Sequence, residues 1–148
     1  MSATFRAYRL THLGDCDMAY SQVHRIRMIM LGYAGAICGR GAEWSLWYER
    51  MLHHFDVAEW DELYREINNA AKDRYTDGEA YPVLIGIVMF CDHSDCDGWF
   101  DECEYIAKAL RATLDNTRHM GEWDRDRMEN LYEVFHKASE DDCRVELF

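Results

Sequence analysis

The sequence is poor in proline and lysine, and it lacks long apolar runs. It has one proline and three lysines in 148 residues, and no Pro/Ser-rich linker divides it, so we expect a single domain over residues 1–148. The longest apolar run, residues 83–91, is too short for a bilayer, which takes about 20 apolar residues. The opening MSATFRAYRL has no apolar h-region, so we expect no secretion signal and a cytoplasmic location.

Positive charge is also scarce. The chain has 16 Lys and Arg against 28 Asp and Glu, which gives a formal net charge of -12. Nonspecific binding to DNA or RNA needs a basic face, so we expect no nucleic-acid partner, and the short apolar runs predict no membrane partner. The charge suits a basic protein partner, for example a nucleic-acid-binding protein whose site is to be occupied. An ordinary solvated acidic surface explains it more simply.

Apolar residues are abundant, at 49% of the chain with 14% aromatic, as in a packed globular protein. Helical spacing of Val23, Ile26 and Met30 predicts a helix over residues about 17–31. Further stripes predict helices through residues 44–55, 57–71, 100–114 and 128–138, with Asp56 as the N-cap of the second of these four. Four glycines are predicted to end the first helix and form a loop: Gly32, Gly35, Gly39 and Gly41.

Strand patterns occur at both ends of the chain. Residues 4–10 alternate, and so does the tail CRVELF, which could pair with them. TDGEAYP, residues 76–82, is predicted to be a turn. Residues 83–92 are ambiguous, because β-branched residues favour a strand while Pro82 favours the start of a helix. The sequence therefore predicts a mainly α single-domain bundle of about five helices, in which a short two-stranded β ribbon can join the termini.

Residues 93–104, HSDCDGWFDECE, have the carboxylates and the glycine of a possible metal-binding loop. Calcium takes six to eight oxygens, and a twelve-residue loop can supply them from positions 1, 3, 5, 7, 9 and 12, with glycine at position 6. Gly98 occupies that sixth position, and Phe100 at position 8 is suited to anchor the loop in the core. The predicted metal ligands are His93, Asp95, Asp97, the main-chain carbonyl of Trp99, Asp101 through a water, and Glu104 as a bidentate carboxylate.

Converging carboxylates repel one another unless some are protonated or a cation lies among them, which also favours a bound ion. The pattern is incomplete, since His93 stands where an aspartate is expected first, and the loss of one carboxylate should weaken calcium binding. Imidazole suits zinc or another transition metal better.

Zinc is therefore the alternative cofactor. The ligands would be cysteine and histidine side chains, and a zinc hydrolase could use the same groups. The spacing C-x-H-x2-C-x6-C is not a standard zinc pattern, and a cysteine on an apolar helix stripe is usually a small core residue. The candidate ligands are Cys91, His93, Cys96 and Cys103.

The run HSDCDG, followed by an acidic helix start with a cysteine and a glutamate, resembles small uncharacterised proteins of actinobacteria and their phages. The resemblance is strongest over residues 82–110. It implies an actinobacterial or phage origin and an EF-hand-like loop geometry, and it implies no activity.

The sequence thus predicts a small soluble accessory or binding protein, without catalysis, whose one EF-hand-like calcium loop has a structural role. The first alternative is a phage-encoded acidic inhibitor that binds a basic host protein, such as a nucleic-acid-binding or defence protein. The second is a zinc-binding protein or hydrolase.

Overall fold

The computed structural model of this chain describes residues 2–7, 15–53, 56–75, 80–92 and 98–148. Within these residues the chain forms six helices and four short strands. The fold is mainly α with a small antiparallel sheet, which confirms the predicted class. None of the described helices combines the length and the apolar character that a membrane span requires.

The helices are α1 (Tyr20–Ile37), α2 (Glu43–His53), α3 (Val57–Tyr75), α4 (Ala80–Cys91), α5 (Cys103–Asn116) and α6 (Glu122–Glu140). The strands are β1 (Ser2–Ala7), β2 (Cys16–Ala19), β3 (Gly98–Phe100) and β4 (Val145–Leu147).

The sheet joins the two ends of the chain. Its strand order is β2-β1-β4-β3 and every pair is antiparallel. Phe5 is opposite Leu147, and the main chains of Thr4 and Phe148 exchange hydrogen bonds of 2.7 and 3.0 Å. The predicted pairing of the tail with the N-terminal strand is confirmed. The sheet has four strands rather than two, because β2 adds to β1 and β3 adds to β4.

Helix α1 continues six residues past its predicted end at residue 31. Gly32 and Gly35 lie inside it rather than in a loop. At Gly35 a side chain would collide with the carbonyl oxygen of Gly41, so glycine lets the following turn fold back onto the helix. Only Gly39 and Gly41 form the turn, with φ of 73° and 59°.

The ambiguous segment is a helix. Pro82 lies in the first turn of α4, where its missing N–H has no intrahelical partner to lose. Residues 80–82, predicted as part of a turn, therefore belong to α4, while residues 76–79 lie outside the described part of the chain. Gly86 packs α4 closely against α5, because a side chain there would collide with the carbonyl oxygen of Tyr105.

Four phenylalanines bring the sheet and the helices together. Phe5 of β1, Phe90 of α4, Phe100 of β3 and Phe135 of α6 are all buried. Their ring centroids lie 5.3 to 6.2 Å apart, within the range of favourable aromatic pairs. On α3 the predicted apolar stripe begins later than expected, since Trp60 is buried but Val57 is 61% exposed.

The core also holds a cation that the sequence analysis did not single out. Arg27 of α1 has no exposed surface. Its Nη1 lies 3.5 Å from the hydroxyl of Tyr48, and its guanidinium carbon lies 5.7 Å from the ring centre of Phe90. Within the described part of the chain, its Nε and Nη2 have no hydrogen-bond partner. His24 completes this polar cluster, with Nδ1 2.9 Å from the Tyr48 hydroxyl.

Candidate metal-binding loop

The candidate loop connects α4 to β3 and α5. The last described residue before it is Asp92, whose Oδ1 accepts a 2.7 Å hydrogen bond from the indole N–H of Trp60. Three of the predicted ligands, His93, Asp95 and Asp97, lie outside the described residues. The structure resumes at Gly98 and therefore describes the second half of the loop.

Gly98, at the sixth position, is the first residue of β3 and has a backbone conformation that favours glycine. Its φ is 130°, a value that residues other than glycine rarely adopt. Two residues later, Phe100 is 2% exposed and packs in the aromatic core. The expectation that Phe100 is a core residue is confirmed, and Ile106 on α5 is also buried, at 1% exposed.

Trp99 and Asp101 meet a cation from the tail of the chain. Trp99 is paired with Glu146 in the sheet and is 40% exposed. The guanidinium of Arg144 lies 5.8 Å from the Trp99 ring centre, and its Nε forms an ion pair with Asp101 Oδ1 at 2.6 Å. The Asp101 side chain is 61% exposed. Arg144 therefore occupies the outer side of this part of the loop.

Glu104 lies in the first turn of α5, two residues after its N-cap Glu102. A carboxylate at this position interacts favourably with the positive end of the helix dipole. Glu104 Oε1 lies 3.1 Å from Nζ of Lys108, one turn further along, and its side chain is 71% exposed. The helix predicted over residues 100–114 therefore begins three residues later, at Cys103.

The cysteines of the zinc alternative are turned into the protein. Cys91 and Cys103 are buried, and burial raises the pKa of each thiol to about 12. The Cys103 thiol donates to the carbonyl of Phe100 at 3.3 Å, and the Cys91 thiol lies 3.9 Å from the carbonyl of Arg27. Burial disfavours the thiolate that a zinc ligand requires. Cys96 lies outside the described residues.

Three of the predicted ligands lie in the described part of the loop. Trp99, Asp101 and Glu104 surround the end of β3 and the start of α5, and both carboxylates are exposed and engaged with cations. Among the described residues alone, no group of three His, Cys, Asp or Glu side chains is placed to hold a metal.

The sequence analysis did not predict the two basic side chains that pair with these carboxylates, Lys108 with Glu104 and Arg144 with Asp101. Lys108 could have been found, since a glutamate four residues before a lysine on a helix is a recognised stabilising pair. Arg144 could not, because its approach to Asp101 depends on β4 pairing with β3.

Comparisons with protein-family models, with curated proteins and with solved structures find no match for this chain.

Proposed function

We propose that the chain is a small cytoplasmic accessory protein, without catalytic activity, that holds one calcium ion of structural role in the loop of residues 93–104. The observation that carries the proposal is the conformation of Gly98, with φ of 130°, two residues before the buried Phe100. A calcium loop of twelve residues needs a glycine at that position to turn the chain around the ion.

The ion would neutralise repelling carboxylates and fix the approach to α5. Position by position, the ligands would be His93 or a water in its place, Asp95, Asp97, the carbonyl of Trp99, Asp101 through a water, and Glu104. With these oxygens directed to one centre, the loop would lock Phe100 and Ile106 into the core.

The ion pairs of Asp101 and Glu104 are compatible with this role. Both pairs are exposed, and pairs of this kind contribute about 0–1 kcal/mol each. A divalent cation offers a carboxylate a stronger interaction than an exposed ammonium or guanidinium, so calcium can replace these partners at low cost. Because His93 replaces one carboxylate, we expect weak affinity, with a dissociation constant of about 10⁻⁴–10⁻³ M.

Thermal unfolding tests the proposal. Binding to the folded state alone stabilises it, so 10 mM calcium is expected to raise the melting temperature of the wild type by about 3 °C or more over chelator. Asp97→Ala should lose the increase. Asp61→Ala on α3 removes an exposed carboxylate outside the loop and should keep the increase. Equal melting curves of the wild type with calcium and with chelator would contradict the proposal.

The resemblance of residues 82–110 to proteins of actinobacteria and their phages supports an origin in one of these, with residence in the host cytoplasm if the chain is phage-encoded. It adds no mechanism to the proposal.

A second candidate function is inhibition of a basic host protein through the acidic surface. The net charge of -12 favours it, because complementary charge speeds encounter with a basic partner. Capture of one basic protein from host lysate at 50 mM salt, and its loss at 500 mM, would support this candidate. Capture that is the same at both salt concentrations, or no capture at all, would argue against this candidate.

Elemental analysis of the purified protein addresses the zinc alternative. We expect a zinc content well below one ion per chain, because burial keeps the thiols of Cys91 and Cys103 protonated and zinc binds the thiolate. One zinc per chain would replace the calcium assignment and reopen the hydrolase interpretation.

A further inference from the structure

A groove of about 570 Å³ runs between the outer face of α1 and the turn that joins α5 to α6. Residues 116–119 form one wall. Its volume lies within the range of small-molecule sites in proteins. The floor is an apolar stripe of α1 at helical spacing, made of Met28, Ile29, Gly32, Tyr33 and Ala36.

Gly32 keeps the floor of this groove open. Glycine inside a helix costs about 1 kcal/mol relative to alanine. A side chain at Gly32 would meet only Cβ of Ser45, at an ordinary 3.8 Å, whereas Gly35 and Gly86 lie directly against backbone carbonyls. Packing within the protein therefore does not require glycine at position 32, and its effect is to leave space beside Tyr33.

The rim of the groove carries positive charge in a chain whose net charge is -12. Arg118 and His119 are exposed there and have no hydrogen bond or ion pair with any other described residue. Arg25, also at the rim, is already held by Asp124, with nitrogen–oxygen distances of 3.0 and 2.6 Å. Arg118 and His119 are thus available to an anion, and Arg25 offers mainly its apolar stem.

Tyr33 adds a hydrogen-bond donor on the floor. Burial, and then the charge of Asp115, raise the pKa of the Tyr33 hydroxyl above its ordinary value of 10. Like any tyrosine hydroxyl at neutral pH, the group is protonated and is a possible donor to an anionic oxygen.

The larger groove between α5 and α6, of about 810 Å³, lacks this preference for anions. Each basic side chain that lines it is paired with a carboxylate, in the pairs Lys108–Glu104, Arg111–Asp115 and His136–Glu140.

We propose that the α1 groove binds an amphipathic organic anion, an alkyl or aryl carboxylate whose apolar part lies over Gly32 and whose carboxylate meets Arg118 and His119. The site is separate from the calcium loop, and neither proposal depends on the other.

Calorimetric titration of the full chain with sodium octanoate, at neutral pH and low salt, tests this site. We expect saturable binding of one octanoate per chain. Octanol, which has the same chain without the charge, should bind about fivefold more weakly or worse, and octyltrimethylammonium should not bind. Failure of octanoate to saturate up to about 10 mM, or equal binding of octanol, would overturn the proposal.

Three variants locate the site on the molecule. Arg118→Gln should weaken octanoate binding about fivefold or more. Arg65→Gln, which removes an exposed arginine of α3 outside the groove, is the matched control and should bind as the wild type does. Gly32→Ala should raise the melting temperature yet weaken binding, a combination that misfolding cannot produce. Wild-type affinity in both Arg118→Gln and Gly32→Ala would place any binding elsewhere and contradict the assignment.

Discussion

Arg27 is a permanent cation that the fold places in its core. Arginine cannot lose its charge by deprotonation, and among the described residues no carboxylate pairs with this one, while two of its nitrogens lack any hydrogen-bond partner. Its observed contacts are the face of Phe90 and a 3.5 Å approach to the Tyr48 hydroxyl. These contacts recover only part of the free energy lost when a charge leaves water.

We therefore predict that Arg27→Met raises the free energy of unfolding by about 1–2 kcal/mol, because an apolar side chain of similar length keeps the packing without the desolvated charge. Urea unfolding measures this. Arg27→Ala is the control for packing alone and should be less stable than Arg27→Met, since it leaves a cavity. A loss of more than about 1 kcal/mol in Arg27→Met would show that the charge has a partner of its own.

His24, beside this cluster, predicts a dependence of stability on pH. Burial, and then the charge of Arg27, lower the pKa of His24 below its ordinary 6.5. A lowered folded-state pKa means that the unfolded chain binds more protons as the pH falls. The stabilising contribution is thus present above pH 6.5 and is lost as the pH falls through 6.5 toward the folded-state value.

We expect the free energy of unfolding to decrease between pH 7.5 and 5.5 in the wild type and to decrease less in His24→Gln. Denaturant titrations at several pH values provide the comparison, with His53→Gln on α2 as the matched control. If the free energy of unfolding changes equally with pH in the wild type and in His24→Gln, His24 does not cause the dependence.

At the scale of elements, two helix-internal glycines have opposite roles. A side chain at Gly86 of α4 would collide with the carbonyl oxygen of Tyr105, whereas one at Gly32 of α1 would make only an ordinary 3.8 Å contact with Cβ of Ser45. Gly86→Ala must separate α4 from α5, and we predict a loss of about 1–3 kcal/mol. The same substitution at Gly32 should add about 0.5–1 kcal/mol through helix propensity. Chemical denaturation distinguishes them, and equal effects of the two substitutions would contradict this packing.

Much of the element order could be predicted from local patterns. Asp56 caps α3 as expected, with its carboxylate accepting from the N–H of Ala58 at 2.9 Å. The end of α1 could not be predicted from the sequence. Gly35 lies inside the helix because the chain folds back and brings Gly41 against it, and local sequence patterns do not show that tertiary contact. For α4 the local preferences conflicted, and burial against α5 decides in favour of a helix.

At the scale of the whole molecule, the tail couples the termini to the candidate loop. β4 lies between β1 and β3, so that Arg6 and Trp99 both stand opposite Glu146. Arg144, just before β4, then contacts Asp101. The sequence predicted that the ends of the chain pair, but not that β3 joins them, because three residues of strand carry too little pattern to recognise.

Under the proposed function, calcium would have a structural consequence beyond its own loop. Its ligands would fix the chain at the start of β3, and through β4 they would stabilise the pairing of the two termini. A structural ion of this kind is expected to protect the whole fold rather than expose a binding surface.

The most direct test of the calcium loop is the number of ions bound at equilibrium. Equilibrium dialysis against 10 mM calcium, followed by elemental analysis, should find close to one bound calcium per wild-type chain, none in Asp97→Ala, and close to one in Asp61→Ala. Calcium content that is equal in the wild type and Asp97→Ala, whether zero or one, would contradict the assignment of the ion to this loop.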